Sequence, residues 1–175
     1  MSLAISIERI RADEGEVLRD IRLRSLLDSP EAFGQRYDEA AASMHDDWVT
    51  TARASAAGDR RIWLFARDDA GAPRGVVQAR RRPVADCLLF SMWVAPEARR
   101  LGVGASLVDA VQDWGSAWGA KRVVLWVMAA NESAMRFYDR IGFSVLNSGP
   151  DAESGRAYGA FAMERLRSAR PPTSP

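Results

Sequence analysis

Cysteine is almost absent from this sequence, which has a single one, Cys87, among 175 residues. One cysteine excludes an internal disulfide and is typical of a reducing compartment, so we expect the protein to be cytoplasmic. The two leucines that follow Cys87 predict a buried structural thiol rather than a nucleophile. No apolar run approaches the ~20 residues of a membrane-spanning helix.

Net charge is also small, because 24 lysines and arginines oppose 23 aspartates and glutamates to leave a formal charge of +1. The chain therefore has no overall attraction to nucleic acid or to a membrane, and we predict neither as a partner. Its content of 47% hydrophobic and 27% charged residues suits one domain with a core. We place that domain at residues 1–167 and a disordered tail at residues 168–175.

Apolar periodicity and turn residues predict an α+β order of elements. Asp13 is predicted to cap the first helix, and further helices begin near Asp46, Val103 and Glu132. A Gly/Ser/Asp turn is predicted at Gly149–Gly155. The predicted strands are Ala4–Ile10, Arg61–Arg67, Gly75–Arg81, Cys87–Val94, Val123–Met128, Phe143–Leu146 and Tyr158–Glu164.

Three further expectations concern pairing and exposure. The strands on either side of the turn at 68–73 should form a hairpin, and the unit from Cys87 to Met128 should be parallel and right-handed. His45 is interpreted as a solvated loop residue. Arg80, Arg81 and Arg82 are interpreted as a solvated strand end, with a contact to a coenzyme 3′-phosphate as the alternative.

The most informative stretch is Ser91–Leu107, in which a strand, a glycine-containing basic turn and a helix follow one another. Pro96 ends the strand because proline has no N–H to donate to a sheet. Gly102 and Gly104 leave the turn backbone open to a ligand. The first N–H groups of the helix have no intrahelical partner and carry partial positive charge, so this stretch predicts a phosphate site.

The phosphate motif is neither a P-loop nor the dinucleotide fingerprint G-x-G-x-x-G, which weighs against an oxidoreductase. It reads R-x-x-G-x-G at Arg99, Gly102 and Gly104, and N-x-x-A-x-x-F-Y follows from Asn131 to Tyr138. Together these motifs resemble the coenzyme A core of the GCN5-related N-acetyltransferases (GNAT). The resemblance covers roughly residues 88–143, about a third of the chain.

The resemblance implies a single GNAT-like α+β domain with a mixed sheet of six to seven strands and helices on both faces. It implies acetyl-CoA as cosubstrate, no metal, and direct acetyl transfer to a primary amine. The strand ending at Val94 should splay from Val123–Met128, so that its free backbone binds the pantetheine arm. The coenzyme-binding residues are then Met92, Trp93, Val94, Arg99, Arg100, Leu101, Gly102, Val103, Gly104, Ala105, Asn131 and Tyr138.

Tyr138 is the predicted catalytic residue. It follows Asn131 by seven positions, two helical turns or ~10 Å, so both side chains should line one ligand face. A phenol there would protonate the departing thiolate, as a general acid. The alternative is a tyrosine that only packs in the core.

Two positions depart from the family pattern. Arg100 stands where relatives often have glycine, and strains the turn if that position needs a positive φ. No glutamate precedes the turn to act as base; Ser91 holding a water, or Asp86, Asp46 or Glu31 from farther away, are the candidates.

The acceptor should lie on the N-terminal helices, residues 17–55, and on the hairpin. Small amines, antibiotics and protein amines all stay open as acceptors. Assembly into a homodimer also stays open. Because the glutamate base is missing, a non-catalytic acyl-CoA-binding domain is the alternative function.

Overall fold

A computed structural model describes residues 4–167, which form a seven-stranded mixed sheet with helices on both faces. The strands are β1 (Ser6–Arg9), β2 (Arg61–Arg67), β3 (Pro73–Arg81), β4 (Asp86–Val94), β5 (Arg122–Met128), β6 (Ser144–Val145) and β7 (Ala160–Leu166). The helices are α1 (Gly15–Asp28), α2 (Tyr37–Ala42), α3 (His45–Ala57), α4 (Val103–Ala117), α5 (Glu132–Arg140) and α6 (Pro150–Ala157). Short 3₁₀ turns lie at Pro30–Ala32 and Pro96–Ala98.

The strand order is β1-β2-β3-β4-β5-β7-β6. All neighbours are antiparallel except β4 and β5, which are parallel as predicted for the unit from Cys87 to Met128. This pairing covers only Asp86–Leu88 against Arg122–Val124, after which the two strands separate. The predicted hairpin is also confirmed, since β2 pairs with β3 along its length.

Two apolar clusters fill the two faces of the sheet. On one face α4 buries Leu107, Val108 and Val111 against alternate residues of β2–β5. On the other, α1 and α3 bury Leu18 and Trp48, among others, against the intervening strand residues. Each fully buried aliphatic side chain contributes about 1.5–3 kcal/mol.

Cys87 lies in the α4 cluster and is fully buried. Burial, with a smaller contribution from the neighbouring Asp86 carboxylate, raises the pKa of its thiol to about 12. The thiol therefore stays protonated at neutral pH, which confirms a structural rather than a nucleophilic cysteine.

Two local predictions are wrong. Asp13 does not cap the first helix; Glu14 precedes it, and its carboxylate accepts a hydrogen bond from the Arg11 N–H (2.8 Å) and pairs with buried Arg67 (2.6 Å). The predicted turn at Gly149–Gly155 is helix α6, because Pro150 suits a first helical position and Asp151 is held by distant arginines.

Exposure of the polar residues was predicted only in part. His45 is exposed but begins α3 and contacts the Glu16 carboxylate, so it is not a loop residue. Arg80 and Arg81 are exposed as predicted, although the Arg81 side chain lies over the Trp118 ring. Arg82 is partly buried and pairs with Asp86 and Asp151.

Within residues 4–167, no helix combines the length and the apolar character that a membrane span requires. The same residues contain no group of three or more His, Cys, Asp or Glu side chains placed to hold a metal ion. The predicted tail, residues 168–175, lies outside the described part of the chain, and the domain limits stay a prediction.

Candidate active site

The separation of β4 from β5 opens a cleft of about 90 Å³ between the two strands, the first 3₁₀ turn and α5. We call it the β4–β5 cleft; its lining includes Phe33, Ser91, Met92, Met128, Asn131 and Tyr138. The structure therefore brings four sequence positions predicted for the site, or for its chemistry, to one place: Ser91, Met92, Asn131 and Tyr138.

The β4 edge of this cleft is shaped by a bulge. Ser91 and Met92 stand opposite the single residue Val77, and Ser91 has a positive φ of 51°. Past the bulge, the Ala95 N–H donates to the Arg74 carbonyl on β3 (2.8 Å). Because strand N–H groups alternate in direction, those of Met92 and Val94 point to the open edge.

Trp93 lies differently from its prediction. By the same alternation its backbone polar groups face β3, and its side chain is buried under α1, where the indole N–H donates to Asp28 (2.8 Å). Trp93 therefore anchors β4 to α1, and the open edge belongs to its two neighbours.

The glycine turn places a row of free donors at the start of α4. Ser106 donates the first intrahelical bond, to the Gly102 carbonyl (3.1 Å), so the N–H groups of Val103, Gly104 and Ala105 have no helical partner. The first turn of α4 contains no acidic residue. Partial positive charge is thus left uncompensated at this end of the helix.

Backbone conformation explains the composition of the turn. Gly102 has φ 81°, and a Cβ there would meet open space. Arg100 also has a positive φ, 64°, which confirms the strain expected from the missing glycine. Arg100 and Leu101 are both exposed on this turn.

Gly104 has a packing role that the sequence did not reveal. A Cβ at this position would lie 3.0 Å from the Phe137 ring and 3.1 Å from Cε of Met92. Gly104 thus lets α4 approach α5 and β4. A substitution at Gly104 would therefore disturb side-chain packing as well as the binding of a ligand.

Arg99 is turned away from the donor row. Its Nε donates to the Val94 carbonyl (2.9 Å), and its Nη2 is bonded to the Asp28 carboxylate. Burial alone would raise the pKa of Asp28, but hydrogen bonds from Trp93, Ser29 and Arg99 together lower it. The guanidinium therefore fixes the turn to β4 and α1, a positioning role in place of the predicted direct contact.

Asn131 and Tyr138 lie at opposite ends of α5. The Asn131 side-chain oxygen caps the helix by accepting from the Ala134 N–H (3.1 Å), which leaves its amide N–H₂ free among the described residues. Tyr138 is 7% exposed and packs edge-on against Phe137 and Phe143.

The Tyr138 hydroxyl has one hydrogen-bond partner among residues 4–167, the Met92 sulfur at 3.5 Å. A thioether is a weak acceptor, so the proton is available to a stronger one. Burial raises the pKa of Tyr138 well above its ordinary value. The phenol therefore stays protonated at neutral pH, so it carries a proton that it can donate and does not serve as a base.

A second cleft, of about 290 Å³, opens on the other side of Ser91 between α1, α3, β2 and β3. We call it the arginine cleft; its lining includes Arg22, Arg61, Arg80, Asp47, Trp63 and Ser91. It lies between the segments that the sequence assigns to the acceptor, but none of its arginines was predicted. The sequence could have indicated this cluster through the register of the predicted hairpin, because that register pairs Arg61 with Arg80.

The three carboxylates considered as bases, Asp86, Asp46 and Glu31, do not line either cleft. Asp86 lies at the paired start of β4, bonded to Arg82 (3.0 Å) and Arg122 (2.9 Å), so it is not a base for chemistry at the open end. Asp46 and Glu31 are exposed and outside both clefts' linings. Asp47 is the carboxylate that lines the arginine cleft.

Comparison with known proteins agrees with this geometry. Residues 21–143 match the model of the acetyltransferase (GNAT) family. A GNAT-family acetyltransferase from Streptococcus pneumoniae has the same fold, with a TM-score of 0.75, 20% identity and coverage of 94% of this chain and all of the other. The PaiA N-acetyltransferase of Thermoplasma acidophilum, solved in complex with coenzyme A, superposes with a TM-score of 0.69 and 16% identity over 94% of this chain and all of the other.

Among curated relatives, a mycothiol acetyltransferase of Propionibacterium freudenreichii is 26% identical over 82% of this chain and 44% of its own length. A 5-NmdU N-acetyltransferase of Pseudomonas phage PaMx11 is 33% identical over 52% of this chain and 64% of its own length. The chain thus spans about half the length of the curated relatives it matches. Because the family match covers more than two thirds of the chain and the fold agrees throughout, the chain belongs to the acetyltransferase (GNAT) family.

Proposed function

We propose that this protein is an acetyl-CoA-dependent N-acetyltransferase that transfers the acetyl group directly to a primary amine. The observation that carries the proposal is a free strand edge and a buried protonated tyrosine at the β4–β5 cleft, with a row of free helix N–H groups next to it at the start of α4, where Gly104 packs against Met92. Family membership and the N-acetyltransferases among its relatives support it.

The described residues fit coenzyme A in three respects. The N–H groups of Val103–Ala105, with no acidic residue beside them, suit a diphosphate. The open edge at Met92 and Val94 offers donors and acceptors to the amides of the pantetheine arm. The free amide of Asn131 adds a further donor on the α5 side of the cleft.

Acetyl-CoA supplies a thioester carbonyl as the electrophile. The amine nitrogen forms a bond to the carbonyl carbon, and the carbon–sulfur bond breaks. In this proposal the Val94 N–H, which points to the open edge, donates to the carbonyl oxygen as it gains negative charge. The Tyr138 hydroxyl gives its proton to the departing sulfur and recovers one from the amine nitrogen through water, so the products are an amide and a free thiol.

The alternative is a domain that binds acyl-CoA without catalysis, favoured by the lack of a glutamate on β4 beside the cleft. Release of free thiol from acetyl-CoA, measured against a panel of amines and peptides, separates the two. Amine-dependent thiol release supports the enzyme. Binding of acetyl-CoA with no amine-dependent release would overturn it in favour of the binding domain.

Location and assembly also belong to the proposal. The single buried thiol supports a reducing cytoplasm. The oligomeric state stays open, with a homodimer as one possibility. The acceptor is an amine of small-molecule, peptide or protein origin, and the charge of the arginine cleft narrows this class.

A further inference from the structure

The arginine cleft contains three guanidinium groups, those of Arg22, Arg61 and Arg80. Within residues 4–167, no carboxylate oxygen lies within 4.0 Å of any of them. Elsewhere in the chain most arginines beside the core are paired, as Arg67 is with Glu14 and Arg122 with Asp86. The arginines of this cleft thus differ from these paired arginines, because they have no carboxylate partner among residues 4–167.

Two of these arginines face one another across the hairpin. Arg61 and Arg80 are directly paired in the register of β2 and β3, and like charges in that position destabilise a sheet. Burial, and then repulsion from Arg61, lower the pKa of Arg80. Arg80 also lies 5.1 Å from the Phe90 ring centre, a contact that supports the guanidinium but does not neutralise it.

Arg22 carries the stronger argument because it is only 5% exposed. Its hydrogen bonds go to neutral groups, the Gln35 side-chain oxygen (3.1 and 3.2 Å) and the Ser25 hydroxyl (3.4 Å). Desolvation lowers its pKa to about 10, still high enough to keep the charge at neutral pH. Two of its five N–H groups are left over, and a buried charge without a counter-ion is costly.

Unused donors are the second, independent feature. The side chains of Trp48 and Trp63 both line the arginine cleft and are less than a tenth exposed. Neither indole N–H has a hydrogen-bond partner among the described residues. The one carboxylate of the lining, Asp47, already accepts from the Met44 N–H at 3.1 Å. The cleft is therefore rich in donors and poor in acceptors.

We infer that the acceptor is a primary amine that also carries a carboxylate, bound in the arginine cleft with its amine toward Ser91. This rests on the proposed function. Arg80 is paired with Leu88, three residues before Ser91, which corresponds to roughly 10 Å along the strand. Amine and carboxylate are therefore separated by several bonds, as in an ω-amino acid or a short peptide, rather than by the single carbon of an α-amino acid.

The test compares three amines of one length with saturating acetyl-CoA: 6-aminohexanoate, hexylamine and 1,6-diaminohexane. We expect kcat/KM for 6-aminohexanoate to exceed that for hexylamine by about tenfold or more, since charge-assisted bonds to guanidinium are strong. The diamine should be the poorest. Arg80→Gln and Arg61→Gln should each remove most of the preference, because they should lower kcat/KM for 6-aminohexanoate far more than kcat/KM for hexylamine.

Arg81→Gln is the matched control, because Arg81 is next to Arg80 but lies over Trp118 on the other face of the sheet. It should keep the full preference. Both test positions are exposed, and removing one of two facing like charges should not lower the melting temperature.

Binding of 6-acetamidohexanoate, measured by calorimetry in the presence of coenzyme A, separates the two proposals because it needs no turnover. Suppose that 6-acetamidohexanoate binds Arg80→Gln more weakly than wild type, and that no amine causes thiol release. The proposed anion site would then stand, and the proposed enzymatic function would be overturned. Equal rates with 6-aminohexanoate and hexylamine, unchanged by Arg80→Gln, would overturn the carboxylate preference and keep the enzyme. A higher kcat/KM for 1,6-diaminohexane than for 6-aminohexanoate would also overturn the proposed carboxylate preference.

Discussion

The two ends of the β4–β5 pair differ in what holds them. At the start, three residue pairs form a parallel ladder, and Asp86 and Arg122 join them by two hydrogen bonds of 2.9 and 3.1 Å. Arg82, Asp151 and Glu164 extend this into an ion-pair network. At the far end the strands are apart, β4 is bulged at Ser91, and the free groups are backbone N–H and C=O.

One strand pair therefore serves two purposes at its two ends. The paired start stabilises the sheet and fixes the direction in which the strands diverge. The open end leaves polar groups unused, a cost that a ligand repays on binding. Changes at the open end should therefore alter binding or rate with little loss of stability, and changes at the paired start should do the reverse.

The largest effect is expected from Tyr138→Phe at the open end, which removes only the hydroxyl. If Tyr138 is the general acid, kcat falls by roughly 10²–10⁴-fold. The Kd for acetyl-CoA and the melting temperature should change little, because within residues 4–167 the hydroxyl has only the weak Met92 sulfur as a hydrogen-bond partner. Pre-steady-state thiol release is the measurement, since slow product release would hide the effect in steady state.

A core tyrosine that only packs would leave the rate unaffected. A thiol-release rate within about threefold of wild type, with chemistry shown to limit it, would assign Tyr138 to packing alone.

The next effect concerns the donor row at α4. Gly102→Asp adds negative charge beside the free N–H groups, and we expect the Kd for acetyl-CoA to rise by about a hundredfold. Gly102 is preferable to Gly104 for this test, because a Cβ at Gly102 meets open space. Calorimetry of acetyl-CoA binding gives the result.

Gly71→Asp is the matched control for backbone strain. Gly71 also has a positive φ, 78°, and open space around it, but it lies in the β2–β3 turn, away from both clefts. Both variants should lose similar stability, of about 1–2 kcal/mol, and only Gly102→Asp should lose binding. Equal acetyl-CoA affinity in the two would place the diphosphate elsewhere.

The sequence predicted local features better than contacts between distant segments, for a physical reason. The strand–turn–helix from Ser91 and the helix from Asn131 to Tyr138 are local, so spacing alone indicates which groups share a face. The role of Arg99 depends on Asp28, 71 positions away, and that of Arg82 on Asp151, 69 positions away. Neither pairing leaves a periodic pattern in the sequence.

The same limit explains the wrong assignment at residues 149–155 and the missed cleft. Helix α6 is held by ion pairs of Asp151 with two distant arginines, where local composition indicates only a turn. The arginine cleft takes side chains from α1, α3, β2 and β3, which come together only in the folded sheet. Residues that act through packing between distant segments need the fold itself.

At the paired start, Asp86→Asn should lower the free energy of unfolding by about 2 kcal/mol, because it weakens hydrogen bonds between a buried carboxylate and two arginines. Acetyl-CoA affinity should be unchanged. Burial alone would raise the pKa of Asp86, but hydrogen bonds from Arg122 and Arg82 outweigh it and hold the pKa below its ordinary value.

This lowered pKa gives the pH dependence its sign. The contribution of Asp86 is fully present above the unfolded pKa of about 3.9 and is lost as pH falls through the lower folded value. Melting temperatures from pH 6 down to pH 2.5 should therefore fall more steeply in wild type than in Asp86→Asn. Parallel curves would show that the network does not stabilise the pair, and a loss of acetyl-CoA affinity would contradict the separation of the two ends.

The smallest effect is expected at Ser91, whose hydroxyl lies between the two clefts and whose positive φ disfavours every residue but glycine. If the hydroxyl positions a water for the amine, Ser91→Ala and Ser91→Gly should lose the same two- to tenfold in kcat, about the worth of one neutral hydrogen bond. Their stabilities should differ, because only glycine relieves the backbone strain. A rate loss confined to Ser91→Gly would mean that the rigid bulge matters rather than the hydroxyl. Full activity in both variants would remove Ser91 from the chemistry and leave it as the wall between the clefts.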